Sequence, residues 1–249
     1  MNVREWSNAI AYLRLSVSYR RAILNTLLYK WQDRVRGTVL DVGGIRANPV
    51  GFVISGKADV HRWVYLNISL AVAPDILADG AHIPLAAEAI DTVFCNATLE
   101  HVNNPLQVMQ ELSRVLRPAG VLLLGVPFLY RIHSAPNDFW RFTEYQVRRM
   151  ADETDLEIES MERVGLLFTV LCDMTKQAIS EIHFTPLRWL IWLLFLPFAT
   201  FLVSLERAGL GRDSNVLTTY TTGYLILATK APKPGNVPNP PQTAGKSER

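Results

Sequence analysis

Two stretches of this chain carry residue types that could do chemistry. The first is "VLDVGG", Val39 to Gly44, in which the carboxylate of Asp41 stands two residues before a glycine pair, Gly43-Gly44, at the end of an apolar run. Glycine there permits a left-handed backbone and lets a ligand approach the main chain closely. Alone, the stretch fits a cofactor loop and fits equally a strand running into a turn. The second is "VPFLYRIHSAPNDFWRFT", Val126 to Thr143, which gathers Tyr130, His133, Asp138, Trp140 and Arg141. A histidine titrates near neutral pH, so His133 can act as a general base. Asp138 can orient that imidazole or pair with Arg141. The plainer alternative is that Asp138 and Arg141 pin the loop while Phe139 and Phe142 pack beneath it.

Composition narrows the other chemistries. His61, His82, His101, His133 and His183 show no metal-ligand spacing, so no metal is expected. Cys95 and Cys172 lie far apart in apolar surroundings and read as buried free thiols, compatible with a reducing compartment. The formal net charge is +2 and no lysine/arginine block with interleaved aromatics occurs, so no nucleic-acid partner is expected. With 249 residues, 49% of them hydrophobic and 19% charged, the chain can bury a large core. The N-terminus does not read as a signal peptide.

The elements that must position these residues alternate in type. Apolar periodicity predicts helix over residues 3–35. Strands are expected at 38–42, 63–68, 81–85, 91–96, 121–126, 156–164 and 220–230. Asn104-Pro105 opens a helix that Pro118 and Gly120 close, and Thr143 caps another that runs to about Asp152. Strands alternating with helices imply an α/β fold: a doubly wound, mainly parallel seven-stranded sheet with helices on both faces.

In chain order come "VLDVGG", "DILADGAHIPL", "DTVFCNATLEHV" and "ELSRVLRPAGVLLLGVPF". In this order, and most specifically in Leu99-Glu100-His101 and in the run Arg114 to Gly120, the sequence resembles the class I S-adenosylmethionine-dependent methyltransferases, in particular the small-molecule and quinone methylating enzymes. The resemblance covers about residues 37–164 and the last strand. It implies S-adenosyl-L-methionine as cofactor. By position, Asp41, Gly43 and Gly44 match the loop under the methionine moiety, with Asp41 facing its ammonium group. Asp79, Gly80 and Ala81 match the segment that reads the adenine, and Asn96 matches a wall beside the methionine moiety. Glu100-His101 is a marker of the family that reads as scaffolding.

Two positions depart from the pattern. Ile45 and Ala47 stand where the family continues with glycines, which crowds a close approach unless the loop turns early, at Gly44. Asn67 or Ser69 stands where a carboxylate usually binds both ribose hydroxyls. Uncharged side chains make weaker contacts there, so cofactor binding weaker than that of a full-motif enzyme is expected.

Trp189–Leu205 carries no charge, has Arg188 before it and Glu206-Arg207 after it, and reaches only the lower length limit for crossing a bilayer. A single span would separate the last strand from its sheet. Pro197 suggests a bend, so a shallow re-entrant or interfacial hairpin is expected, with membrane-surface contact through 187–205. The rival is a helix buried in a dimer or against the N-terminal helix, and oligomeric state stays open. The expected organisation is an N-terminal helical cap (1–36), a methyltransferase domain (37–230) with an apolar insertion at about 183–210, and a disordered proline-rich tail (231–249). The functional expectation is a methyltransferase for a small or lipid-linked acceptor, cytoplasmic and held at the inner face of a membrane. A non-catalytic scaffold that kept the fold is the alternative. A nicotinamide dehydrogenase ranks far behind, for want of Gly-x-Gly-x-x-Gly spacing.

Overall fold

Neighbouring apolar residues along the strands divide between two cores, as a pleated strand buried on both faces requires. Leu40, Val42, Val93, Cys95, Leu122 and Leu124 face one core; Val39, Phe94, Val121, Leu123, Leu225 and Leu227 face the other. This computed structural model describes residues 18–46, 59–211 and 213–232. Its elements are α1 (Tyr19–Lys30), β1 (Gly37–Val42), β2 (Val60–Asn67), β3 (Ile76–Leu77), β4 (Ile90–Asn96), α2 (Pro105–Val115), β5 (Leu116–Pro127), α3 (Glu144–Asp152), β6 (Leu156–Arg163), α4 (Leu167–Ser180), α5 (Thr185–Arg207) and β7 (Gly223–Lys230).

The seven strands form one sheet in the order β3-β2-β1-β4-β5-β7-β6. Pairing is parallel from β3 to β5, while β7 runs antiparallel between β5 and β6. Helices α2 and α3 cover the first core, through Val108, Leu112, Val147 and Met150. Helices α1, α4 and α5 cover the second, through Leu24, Leu28, Cys172, Ala199 and Val203. The doubly wound sheet read from the alternation is therefore the fold, and both cysteines are buried free thiols.

Several local expectations are corrected. Residues 81–85 form no strand; the third strand is Ile76–Leu77, paired with Leu66 and Asn67. Of "AHIPL", Ile83 is buried in the core and Ala81 and Leu85 are partly buried against it. Its backbone is satisfied by side chains instead of a ladder: Ile83 N–H donates to Glu111 at 2.8 Å, and Arg114 donates to the Ile83 and Leu85 carbonyls at 2.8 Å each. The fifth strand starts at Leu116, so Pro118-Ala119-Gly120 falls inside it, at a register shift opposite Ile90–Thr92. The N-terminal helix is described only from Tyr19, and the remainder of the expected 3–35 helix, like the tail beyond residue 232, lies outside the described residues. Helix α4 was not among the expected elements. Helix α5 is continuous through Pro197, so the segment is one helix and not the expected hairpin. Proline removes one donor and crowds one carbonyl, a local cost that the packing of Trp192, Ala199 and Val203 against α4 and the sheet outweighs.

Buried carboxylates tie these last helices together. Glu206 of α5 accepts from the Leu166, Phe168 and Thr169 N–H groups and from the Thr169 hydroxyl, at 2.8, 2.8, 3.2 and 2.5 Å, so it caps α4. Asp173 of α4 accepts from Tyr19 and Arg20 N–H at 2.7 and 2.8 Å, and so caps α1. Each carboxylate meets the positive end of a helix dipole as well as otherwise orphaned donors. Glu206→Ala leaves those donors buried without an acceptor and is expected to lower stability by about 2 to 4 kcal/mol, read as an earlier urea midpoint at unchanged slope. Glu153→Ala, which opens an exposed pair with Arg149, is expected to cost under about 0.5 kcal/mol. Equal midpoints for the two variants would refute the capping role.

Candidate functional site

All parallel strands of an open α/β sheet present their carboxyl ends at one edge, where a crevice forms. Here that edge holds a cleft of about 750 Å³. Val42 and Gly43 at the end of β1 form its floor, Asn67 to Ser69 after β2 and Ala78 to His82 form one wall, and His101, Ser134 and Asn137 stand at the other. Its size suits a drug-sized or nucleoside-sized ligand.

The left-handed residue of the glycine turn is Gly43, with φ +79°, one residue before the position expected. Its N–H donates to the Leu66 carbonyl at 2.8 Å, and a Cβ there would stand 2.2 Å from Thr98 Oγ1. Gly44 is needed for another reason: a Cβ would stand 2.3 Å from Asp41 Cγ. Ile45 points outward, 42% exposed, and Ala47 lies outside the described residues. Arg46 steadies the loop by pairing with Asp75 at 2.6 Å while lying over the Tyr65 ring.

Six of the expected cofactor residues line the cleft together: Gly43, Asn67, Ser69, Asp79, Gly80 and Ala81. Asp79 Oδ1 accepts from Ala81 N–H at 2.9 Å, which shapes that segment as a side-chain-closed turn. Asn67 is committed to the loop: its Nδ2 donates to the Gly43 and Gly44 carbonyls at 3.1 and 3.2 Å, and its Oδ1 accepts from Ser69 N–H at 2.9 Å. A carboxylate at this position would face those two carbonyls without a hydrogen to offer, which is a physical reason for the amide.

Gly44, Asp41 and Asn96 are not among the residues that line the cleft. Asp41 sits beneath Gly44 with Trp63 Nε1 3.4 Å away, and burial pushes its carboxyl up to about 7, against the indole N–H that favours the charge. Asn96 turns its amide onto Gly125 of β5, where its Oδ1 has no hydrogen-bond partner among the described residues. Thr98, His82 and Gln107 line the cleft without having been singled out. Thr98 Oγ1 donates to the Val42 carbonyl at 3.0 Å, and Gln107 Nε2 reaches the Ala81 carbonyl at 3.4 Å. Gln107 lies on α2, a helix that reads only as scaffold in one dimension.

The loop after β5 brings His133, Asp138 and Arg141 into one network. Asp138 accepts from His133 N–H at 2.7 Å, lies 3.3 Å from His133 Nδ1, and takes both Arg141 terminal nitrogens at 2.6 and 2.8 Å. Arg141 also donates to the Tyr130 and Arg131 carbonyls. Arg141 holds the Asp138 carboxyl well below the usual range, over the opposing effect of burial. Burial keeps His133 below its usual value, which favours the unprotonated imidazole, while Asp138 favours the charged form. Arg141 thus pins the loop while Asp138 both pins it and backs the histidine.

A further residue enters by folding alone. The Glu100 carbonyl accepts from Phe139 and Trp140 N–H at 2.8 and 3.3 Å, the scaffolding expected of that position. Its side chain is 0% exposed and lies 3.9 Å from His101 Nε2 and 3.8 Å from His133 Nε2. Burial pushes this carboxyl up; its own backbone N–H, His101, Arg20 and Arg141 oppose the shift. Linear spacing hides this grouping, since His101 and His133 stand on different loops.

Similarity to known proteins follows the same segments. A family model described as a methyltransferase domain matches residues 61–124. A ubiquinone biosynthesis O-methyltransferase from Haemophilus ducreyi is 33% identical over 45% of this chain and 47% of its own length. A human thiol S-methyltransferase is 29% identical over 56% of this chain and 52% of its own length. The chain thus spans about half the length of the curated relatives it matches. Among solved structures, the [4+2]-cyclase SpnF superposes over 88% of this chain and 85% of its own, with a TM-score of 0.57 at 18% identity, a likeness of fold alone. The matched segment and the strand order with its antiparallel β7 make the chain similar, over this region, to class I methyltransferase domains.

Proposed function

We propose that the protein transfers a methyl group from S-adenosylmethionine to a small or lipid-linked acceptor, as a cytoplasmic enzyme held at the inner face of a membrane. The cleft carries the cofactor part of this reading. Gly43 offers bare backbone for the methionine end, Asp79 with Gly80 and Ala81 offers a carboxylate and N–H groups for the adenine edge, and Ser69 offers a hydroxyl for the ribose. With Asn67 spent on the loop carbonyls, ribose recognition is uncharged and binding is weak. His133 supplies an unprotonated nitrogen beside the cleft, the property a general base requires, with Asp138 orienting it and Arg141 holding the loop. Positioning and exclusion of water supply the remainder of the catalysis.

The alternative, a non-catalytic scaffold, draws its support from Asn67 and from Asp41 and Asn96, which do not line the cleft. Calorimetric titration with S-adenosylhomocysteine separates the two. Binding at one site per chain, weaker than low micromolar, is expected, together with transfer of labelled methyl into a lipid extract. Absence of both binding and transfer would overturn the enzyme reading.

Support for the membrane comes from α5, with 23 residues, a mean hydropathy of 1.8 over its most apolar window and 22% of that window buried. Leu193 and Leu194 are 73% and 68% exposed, and Trp189, Leu190, Phe198 and Phe201 lie open beside them. Because Arg163 at the end of β6 stands beside Tyr224 near the start of β7, the chain leaves and rejoins the sheet at one edge. A helix so tethered suits the headgroup boundary better than a span, with Trp189 at interfacial depth. The protein is expected to float with anionic phospholipid vesicles, and the Leu193→Glu/Leu194→Glu variant to remain at the bottom of the gradient. Wild type that stays at the bottom, or a variant that floats equally, would remove the membrane from the proposal.

A further inference from the structure

We propose that Glu100, His101 and His133 form a divalent-metal site, of the kind that holds zinc with two imidazoles and one carboxylate, at the end of the cleft where the acceptor enters. The three ligand atoms, Glu100 Oε1, His101 Nε2 and His133 Nε2, lie within 4.8 Å of one another, the carboxylate oxygen 3.9 and 3.8 Å from the two nitrogens. Atoms so spaced share a point about 2.5 Å from each, against the ~2.0–2.2 Å of zinc bonds to nitrogen and oxygen. Closing that gap requires the three side chains to draw together by torsion.

The outer nitrogens argue for the same arrangement. His101 Nδ1 lies 2.5 Å from the Asn137 carbonyl, an acceptor only, so that nitrogen carries the hydrogen and Nε2 keeps its lone pair. His133 Nδ1 lies 3.3 Å from Asp138 Oδ2, which selects the same tautomer. A carbonyl behind one imidazole and a carboxylate behind the other is the support that metal-bound histidines ordinarily have. Arg141 fixes that carboxylate through both of its terminal nitrogens, so the second layer is itself rigid.

The independent sign is Glu100. It is fully buried, and among the described residues no other residue gives either carboxylate oxygen a hydrogen bond. A buried carboxylate left so is costly unless a cation meets it. The groups its Oε1 approaches are the two imidazoles, whose tautomers direct lone pairs at it rather than hydrogens. Two imidazole lone pairs and a carboxylate oxygen converge on one point, an arrangement that a cation at the centre satisfies, although Arg20 and Arg141 also favour the charged carboxylate.

Three protein ligands leave a tetrahedral ion one open position. His101, Ser134 and Asn137 border the cleft, so that position is reachable from it. Resting on the methyltransferase reading, the ligand class for the open position is an acceptor hydroxyl or thiol, which a bound dication makes more acidic. With the ion bound, His133 is a ligand and activation comes from the ion; the base role proposed above is that of the metal-free site.

The test uses the full chain, stripped with a chelator and returned to zinc in competition with a chromogenic chelator, with cobalt as a spectroscopic stand-in. One zinc per chain is expected, with visible cobalt bands of a four-coordinate site. Glu100→Gln and His133→Ala are expected to weaken zinc by about 100-fold or more and to abolish the bands, while circular dichroism and S-adenosylhomocysteine binding persist. His61→Ala, remote from the cleft, is expected to bind as wild type does. Wild type that fails to withdraw zinc from the chelator overturns the site, as do Glu100→Gln and His133→Ala variants that bind like wild type. Zinc binding without any S-adenosylhomocysteine binding would instead count against the methyltransferase reading and leave the metal site standing.

Discussion

Backbone pairing between parallel strands is the constraint on which the rest of this molecule depends. Val42 stands beside Leu66 and Cys95, and Asn96 beside Gly125, so the ends of β1, β2, β4 and β5 reach one edge together. Every wall of the cleft is a loop that leaves this edge. The loops are then tied across strands: Gly43 N–H to the Leu66 carbonyl, Asn67 to the Gly43 and Gly44 carbonyls, Thr98 to the Val42 carbonyl. A one-residue slip would send each of these side chains to the opposite face.

The antiparallel strand β7 imposes a second condition. It lies between β5 and β6, so the long connection from β6 must return to the edge it left. The result is the α4–α5 pair, whose inner face joins the core under α1 and whose outer face stays apolar and open. Glu206 and Asp173 convert that packing into a fixed arrangement, since each carboxylate is satisfied only when its neighbouring helix begins where it does. Arg20, one residue into α1, lies over the Tyr130 ring, so the same chain of caps reaches the loop that bears His133.

That loop shows how a single network serves both rigidity and chemistry. Arg141 spends its donors on Asp138 and on the Tyr130 and Arg131 carbonyls, which holds a segment without regular secondary structure in one shape. Asp138 is thereby left ionised and directed at His133. The pinning of the loop and the orientation of the imidazole are therefore not rival explanations of Asp138. Glu100 likewise does two things, its carbonyl anchoring the loop and its carboxylate facing the histidines.

Local patterns were sufficient for much of this. Apolar runs located the inner strands, because burial on both faces demands an uninterrupted apolar run, and alternation located the edge strand β6. Asn104 and Thr143 cap the helices they were expected to cap. That Gly43, Asn67, Ser69, Asp79, Gly80 and Ala81 share one cleft is in line with the resemblance to the methyltransferases. What one dimension could not supply was any feature whose satisfaction lies far along the chain. Ile83 resembles a strand residue until Glu111 and Arg114 take up its backbone groups from α2. Asn67 resembles a ligand group until it meets the carbonyls of the glycine turn. Pro197 looks like a break until packing holds the helix through it. His101 and His133, separated by a strand and a helix, become a pair with rings 4.8 Å apart only when β4 and β5 lie side by side. Sequence determines which groups exist and which elements carry them. Tertiary contact alone decides which of them share an acceptor, a charge or a buried point in space.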